Sequence, residues 1–223
     1  MRITLPSGTP AEIHRVEGST RGLVVFPDIF GLRPLFDDHV RRFATEWGMT
    51  TVAIEPFPVS AVGRELGADL DGRFAAVPTL SDTDKFRDLN EAADATGCAT
   101  VGMIGFCMGG MYCFKAAAMK RFVRIASFYG MIRLPDSWRG DDQGEPLALL
   151  NADPSEAAKV LAIIGNKDTW TPAPDVVALR ATGAEVIEYN DAEHGFAHDA
   201  SRPAHRVDDA ADAFGRARAW LSA

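Results

Sequence analysis

The stretch Gly105-Phe106-Cys107-Met108-Gly109-Gly110 decides the fold of this chain. It follows an apolar β-type run at residues 99–104 and opens a helix predicted over residues 109–119. The glycines two positions before and two positions after Cys107 give the spacing of a nucleophile elbow, a sharp strand-to-helix turn that leaves no room for side chains there. The sulfur then lies at a helix N-terminus, where free N–H groups and the helix dipole favour the thiolate. The pattern predicts covalent catalysis by Cys107; the alternative is a glycine-rich turn around a buried cysteine.

Strand-like and helix-like segments alternate along the rest of the chain. The predicted strands are residues 3–5, 12–16, 22–26, 50–55, 99–104, 124–128, 160–164 and 185–189. The predicted helices are residues 34–47, 82–96, 109–119, 173–182 and 204–221. This order indicates an α/β fold with a mostly parallel central sheet and helices on both faces. Residues 57–81 and 130–159 are predicted to be long loops that form the walls of a substrate pocket.

The length and composition fit a single α/β domain over residues 1–223 with no separate cap domain. A formal net charge of −8 without a basic run argues against nucleic acid as a partner. No signal-like or membrane-spanning window is present in the sequence, so a cytoplasmic protein with no membrane partner is expected. The three cysteines have neither CxxC nor Cys/His spacing, which argues against a disulfide framework and against a metal site.

A thiol nucleophile needs a base, and the base needs an acid that orients it. Asp168 lies in the turn after the predicted strand 160–164, and His194 lies before Gly195 in the loop after strand 185–189. The chain order of nucleophile, acid and histidine is that of the α/β-hydrolase arrangement. The alternatives are that Asp168 only caps the turn before Trp170 and that His194 is an ordinary loop histidine.

These three signatures together resemble the dienelactone hydrolase family, the cysteine-nucleophile members of the α/β-hydrolase superfamily. The resemblance implies a Cys107–His194–Asp168 triad that cleaves ester or lactone bonds with no metal and no organic cofactor. It also implies a role for an acidic residue after the first core strand, which is Asp28 here and glutamate in the family. In the family this acidic residue is similar to a switch, which keeps the thiol unreactive until substrate displaces the acidic side chain. The alternative for the shorter Asp28 is a structural cap of the loop at residues 27–32.

The elbow geometry also assigns the oxyanion hole to the backbone N–H groups of Met108 and Ile29. The family resemblance places a carboxylate-binding arginine four residues after the catalytic histidine, where this chain has His198. The anion clamp is therefore expected to be weakened or relocated, with Arg33, Arg73 and Arg202 as candidate substitutes. The residues predicted to bind substrate are Phe30, Arg33, Phe106, Tyr129, Trp170, Phe196 and His198.

The predicted function is hydrolysis of an ester or lactone bond of a small molecule through a thioester acyl-enzyme. One alternative makes Cys107 a redox-sensing thiol, although neither Cys98 nor Cys113 is an evident resolving partner. A second alternative is a catalytically idle binding protein on the same scaffold. A monomer or a weak homodimer is expected.

Overall fold

The computed structural model describes residues 1–57 and 69–223, which form two compact units. The first unit is Met1–Gly102 together with Leu134–Gly144, and the second is Met103–Arg133 together with Glu145–Ala223. The single domain over residues 1–223 stays a prediction.

Among the described residues, four strands lie wholly within the first unit. They are β1 (Arg2–Thr4), β2 (Pro10–His14), β3 (Arg21–Phe26) and β4 (Thr50–Ile54). The pairs β1–β2 and β2–β4 are antiparallel, whereas β3 and β4 run parallel with Val24 opposite Val52. All five residues of β4 are buried, as expected for a strand covered on both faces. The helices of this unit are α1 (Pro34–Trp47), α2 (Leu70–Ala76) and α3 (Asp82–Ala95).

The second unit carries four parallel strands in sequence order. They are β5 (Thr100–Phe106), which enters the unit at Met103, β6 (Ile125–Phe128), β7 (Val160–Gly165) and β8 (Glu185–Tyr189). The helices are α4 (Met108–Ala116), α5 (Pro146–Asn151), α6 (Pro154–Ala157), α7 (Ala173–Ala181) and α8 (Val207–Ser222). The carboxyl ends of parallel strands meet at one edge of a sheet, which is where α/β proteins place their sites. The segments that follow β5, β7 and β8 carry Cys107, Asp168 and His194.

The predicted alternation of strands and helices is confirmed, with most boundaries within two residues. The helix predicted from residue 204 begins at Val207. The two segments predicted to be loops are wrong in part, because they contain α2, α5 and α6. These helices have only four to seven residues, too few for a periodic apolar pattern, and α5 and α6 begin with a proline that reads as a loop signal. The rest of the first predicted loop, residues 58–68, lies outside the described residues.

No helix within residues 1–57 and 69–223 has both the length and the apolar character needed to cross a membrane.

Candidate active site

Cys107 lies on the turn between β5 and α4 with a strained backbone. Its φ of 56° and ψ of −117° fall in a region that residues with side chains rarely occupy. The turn is held from both sides, because the Cys107 N–H donates to the carbonyl of Phe128 at 3.0 Å and its carbonyl accepts the N–H of Met111 at 3.0 Å. The nucleophile candidate is thus attached to β6 as well as to its own helix.

The glycines of the elbow are required by close backbone contacts. A Cβ on Gly105 would lie 2.2 Å from the carbonyl oxygen of Gly109, and a Cβ on Gly110 would lie 2.6 Å from that of Phe128. Real Cβ atoms do not come that close to backbone atoms, so a side chain at either position would push α4 away from the strands. The glycines at positions 105 and 110 therefore have a steric cause.

Helix α4 presents its N-terminus at the sulfur. Cys107 is the residue that caps this helix, and all nine helical residues are buried. Met108 is the first helical residue, so its N–H has no intrahelical acceptor. A buried helix terminus is screened little by water, so its positive end stabilises negative charge that develops next to it during a reaction.

Asp168 is a buried carboxylate with two separate tasks. Its Oδ2 lies 2.8 Å from Nδ1 of His194, and its Oδ1 accepts the backbone N–H of Trp170 at 2.8 Å. The Asp168 side chain has no exposed surface, and the His194 side chain is 18% exposed. The sequence left turn-capping and histidine-orienting as alternatives for Asp168, and this carboxylate makes both contacts.

The loops that carry the acid and the base are joined to each other. The N–H of Lys167 donates to the carbonyl of Ala192 at 3.0 Å, and the N–H of Asp191 donates to Oδ1 of Asn166 at 2.7 Å. A Cβ on Gly165 would lie 2.2 Å from the Ala192 carbonyl oxygen, so this approach also depends on glycine. The distance between Asp168 and His194 is therefore set by backbone contacts.

His194 interacts with Cys107 as well as with Asp168. Burial lowers the pKa of the imidazole, but the charge and hydrogen bond of Cys107, together with those of Asp168, outweigh it and raise that pKa to about 10. An imidazolium at neutral pH next to a thiol at a helix N-terminus is the arrangement of an activated cysteine nucleophile. The three predicted triad residues thus come together within the second unit.

The predicted substrate-binding residues of the second unit fall into two groups. Phe106, Tyr129, Phe196 and His198 are at most 2% exposed and pack against one another as a buried aromatic layer. Trp170 is 40% exposed, and its ring centroid lies 6.3 Å from that of His194. Trp170 is therefore placed to meet a solute, and the binding roles of these five residues stay predictions.

Asp28 is engaged within the first unit. Nη1 and Nη2 of Arg33 donate to its two oxygens at 2.6 and 2.9 Å, and the N–H of Phe30 donates to Oδ1 at 3.0 Å. This supports the structural alternative for Asp28, a cap that fixes its own loop. Arg33, a candidate anion clamp, is accordingly an ion-pair partner of Asp28. The switch role of Asp28, the oxyanion role of Ile29 and the binding roles of Phe30 and Arg33 stay predictions.

Glu55 is a half-buried acid that the sequence reasoning missed. It accepts the N–H groups of Leu32 at 2.9 Å and Phe57 at 3.1 Å, and Nη1 of Arg73 lies 3.5 Å from Oε1. Burial raises the pKa of Glu55. Arg73 also donates to the carbonyl of Ile29 at 2.9 Å, so this second clamp candidate ties the Ile29 loop to Glu55. Glu55 directly follows the apolar run of β4 and was therefore assigned to the end of that strand. For this reason the sequence did not mark it as a site residue.

Arg202, the third clamp candidate, packs against the loop that carries His194. Its Nη1 would lie 2.3 Å from a Cβ on Gly195, the residue after His194. Within the described part of the chain, no three His, Cys, Asp or Glu side chains converge so as to hold a metal ion.

Comparison with known proteins decides the family. The family model described as the dienelactone hydrolase family matches residues 60–223. The chain belongs to the dienelactone hydrolase family. It is similar to Carboxymethylenebutenolidase 2 from Cupriavidus pinatubonensis, with 25% identity over 194 residues that cover 83% of this chain and 78% of that protein. As a member of the dienelactone hydrolase family, the protein is a carboxylic ester hydrolase, as the resemblance implied.

Solved structures show the same fold. A protein from Klebsiella pneumoniae assigned as a dienelactone hydrolase superposes with a TM-score of 0.83 at 23% identity, covering 100% of this chain and 97% of that one. The Pyrococcus furiosus esterase Pf2001 superposes with a TM-score of 0.65 at 15% identity, covering 100% and 90%. At these identities the likeness concerns the fold alone, and it confirms the predicted α/β-hydrolase fold of this dienelactone hydrolase family member.

Proposed function

We propose that this enzyme cleaves an ester or lactone of a small molecule through a Cys107–His194–Asp168 triad and a thioester acyl-enzyme. The observation that carries the proposal is the convergence on one imidazole of a buried carboxylate and a helix-terminal thiol, each from a different strand end. Family membership supports the class of bond that is cleaved.

Acylation begins with attack of the Cys107 thiolate on the carbonyl carbon, which pushes an electron pair onto the carbonyl oxygen. The N–H of Met108 stabilises this oxyanion. The pair then returns, the bond between carbon and the leaving oxygen breaks, and the His194 imidazolium protonates the departing alkoxide. An ester releases an alcohol at this step, whereas a lactone opens and keeps its hydroxyl on the acyl chain.

Deacylation reverses the proton movements. Neutral His194 takes a proton from water as the water oxygen attacks the thioester carbon, and collapse of the intermediate expels the Cys107 thiolate. The products are a carboxylic acid and the restored thiolate–imidazolium pair. Asp168 holds Nδ1 of the imidazole throughout, so that the other ring nitrogen stays directed at the reacting groups.

The redox-sensing alternative has no support from Cys113. This thiol is fully buried, its Sγ interacts with the carbonyl of Ala126 at 3.4 Å, and burial raises its pKa well above the usual range. A resolving cysteine needs an accessible thiolate. Cytoplasmic location and a monomeric or weakly dimeric state stay predictions.

The test is a panel of activated esters and lactones assayed with the wild-type protein, Cys107→Ala and the control Cys98→Ala. We expect Cys107→Ala to lose at least about 10³-fold in kcat/KM, while Cys98→Ala, which removes a thiol of the first unit, stays at the wild-type level. Acid quenching during turnover followed by peptide mass analysis should show an acyl group on Cys107. Undiminished turnover by Cys107→Ala would contradict the proposal, as would a wild-type protein that is inactive on the whole panel.

A further inference from the structure

Tyr129 occupies an unusual position directly after β6. Its backbone has a φ of 39°, in the left-handed region that tyrosine rarely adopts. Its N–H donates to the carbonyl of Ile163 at 2.7 Å, and the preceding carbonyl, that of Phe128, accepts the N–H of Cys107. The Tyr129 backbone therefore lies between the nucleophile turn and β7, the strand that leads to Asp168. A strained conformation held by such contacts is typical of functional positions.

The Tyr129 hydroxyl holds the far end of the histidine loop. It shares a hydrogen bond with Nδ1 of His198 and accepts the backbone N–H of His198 at 3.2 Å. Both residues are at most 2% exposed. One hydroxyl thus fixes both the backbone and the side chain of the residue four positions after His194.

The Tyr129 ring supports the other end of the same loop. Its centroid lies 5.2 Å from that of the His194 imidazole, in an edge-on arrangement, and 5.7 Å from that of Phe196. The His198 ring in turn stacks on Phe106 at 5.2 Å with an interplanar angle of 25°. His198, only 2% exposed, is packed as an internal brace and is not presented to solvent as an anion-binding group.

We propose that the Tyr129–His198 pair positions the His194 imidazole toward Cys107, an inference that rests on the triad function proposed above. Asp168 fixes one ring nitrogen, but a single hydrogen bond leaves the imidazole able to pivot about it. The Tyr129 ring blocks that pivot on one side, and the anchored His198 prevents the loop from shifting. In this proposal Tyr129 and His198 act through His194 as positioning residues, which is separate from the substrate-binding roles that the sequence predicts for both.

The experiment compares Tyr129→Phe with the matched control Tyr189→Phe. Tyr129→Phe removes the hydroxyl that binds His198, whereas Tyr189→Phe removes a hydroxyl that donates to Asp212 of α8 at 2.6 Å. The two positions are matched because both tyrosine rings contact Phe196. For Tyr129→Phe we expect a fall in kcat of about 10- to 100-fold with little change in KM, because a misplacement of about 1 Å is that costly. Tyr189→Phe should keep the wild-type kcat.

A second readout does not depend on turnover. The alkylation rate of Cys107 by iodoacetamide, followed by peptide mass analysis across pH, reports the thiolate held by its imidazolium partner. In Tyr129→Phe the rate at pH 7 should fall about tenfold, because the imidazole is no longer held toward the sulfur, whereas the control keeps the wild-type rate across pH. A variant that is merely less stable but correctly aligned would not show this fall at temperatures where circular dichroism confirms folding.

Substitutions at His198 complete the test. His198→Asn retains a polar group for the Tyr129 hydroxyl and should keep most of kcat, whereas His198→Phe should match Tyr129→Phe. The double variant Tyr129→Phe/His198→Phe should be no slower than either single variant, because both remove the same bond. Unchanged kcat and an unchanged alkylation profile in Tyr129→Phe would overturn the positioning role while leaving the triad intact. If the wild type hydrolyses no substrate, the triad function fails, and the alkylation profiles still decide the positioning.

Discussion

The contact between Asp168 and His194 can be tested by Asp168→Asn, which preserves shape and removes one acceptor. The carboxylate receives two N–H groups, one from Trp170 and one from His194, each at 2.8 Å. An amide has a single oxygen, so in either orientation of the substituted side chain one of the two N–H groups faces an NH2 group. Retaining the turn therefore means losing the bond to His194. A hydrogen bond to a charged group is worth about 1.5–3 kcal/mol, and about 1.4 kcal/mol is a tenfold change in rate. The expected loss in kcat/KM is about 10- to 100-fold.

The pH dependence of kcat/KM provides a second, independent test of the contact between Asp168 and His194. Asp168 helps to raise the pKa of His194 to about 10, against the lowering effect of burial. The imidazolium that protonates the leaving alkoxide is lost above this pKa, so kcat/KM of the wild type should decline around pH 10. Removing the carboxylate charge lowers the pKa of His194, so the decline should begin at lower pH in Asp168→Asn.

The assay is kcat/KM for one activated ester between pH 5 and about 11, with Asp175→Asn as the matched control. Asp175 pairs with Nε of Arg133 at 2.7 Å in the same unit, and its amide variant should follow the wild-type profile. An Asp168→Asn protein within about threefold of the wild type, with the same alkaline limb, would refute the orienting role.

Two smaller predictions concern stability, both measured by urea unfolding. Gly105→Ala should lower the free energy of unfolding by about 1–3 kcal/mol and impair activity, because its Cβ would meet Gly109 backbone atoms. The control is Gly215→Ala in α8, where a Cβ has nothing within 4 Å, and it should raise the free energy of unfolding by about 0.5–1 kcal/mol. Equal effects of the two substitutions would contradict the steric account. Arg33→Gln leaves the buried Asp28 carboxylate without its guanidinium partner and should cost about 1.5–3 kcal/mol, whereas a neutral result would mean that their ion pair contributes nothing to stability.

The sequence was informative where local chemistry decides the outcome. Gly105 follows from a steric limit within a few residues of Cys107, because a Cβ there would meet the backbone of Gly109. The β-type runs before Asp168 and His194 place each side chain at a strand end, and the sheet then brings those ends together. For this reason the fold class, the order of strands and helices in the second unit and the convergence of the triad followed from residue types and spacing.

Other features depended on contacts that no spacing encodes. The hydrogen bonds between Tyr129 and His198 join residues 69 positions apart, and aromatic and histidine residues near loops look alike in sequence whether they line a pocket or fill a core. The pairing of Asp28 with Arg33 is local, five residues apart, but which acid receives the guanidinium is decided by burial. Glu55 remained hidden because it ends an apolar run.

The links between the acid loop and the base loop allow a modular view of the second unit. Gly165, Asn166 and Lys167 contact residues 191 and 192 through the backbone or a short amide, so the loops that carry Asp168 and His194 form one connected substructure. Substitution of the exposed Trp170 side chain, which leaves the backbone N–H bond to Asp168 in place, should then alter the surroundings of His194 without changing the contact between Asp168 and His194. The exposed side chains near His194 and the alignment of His194 with Asp168 would then depend on separable parts of the chain.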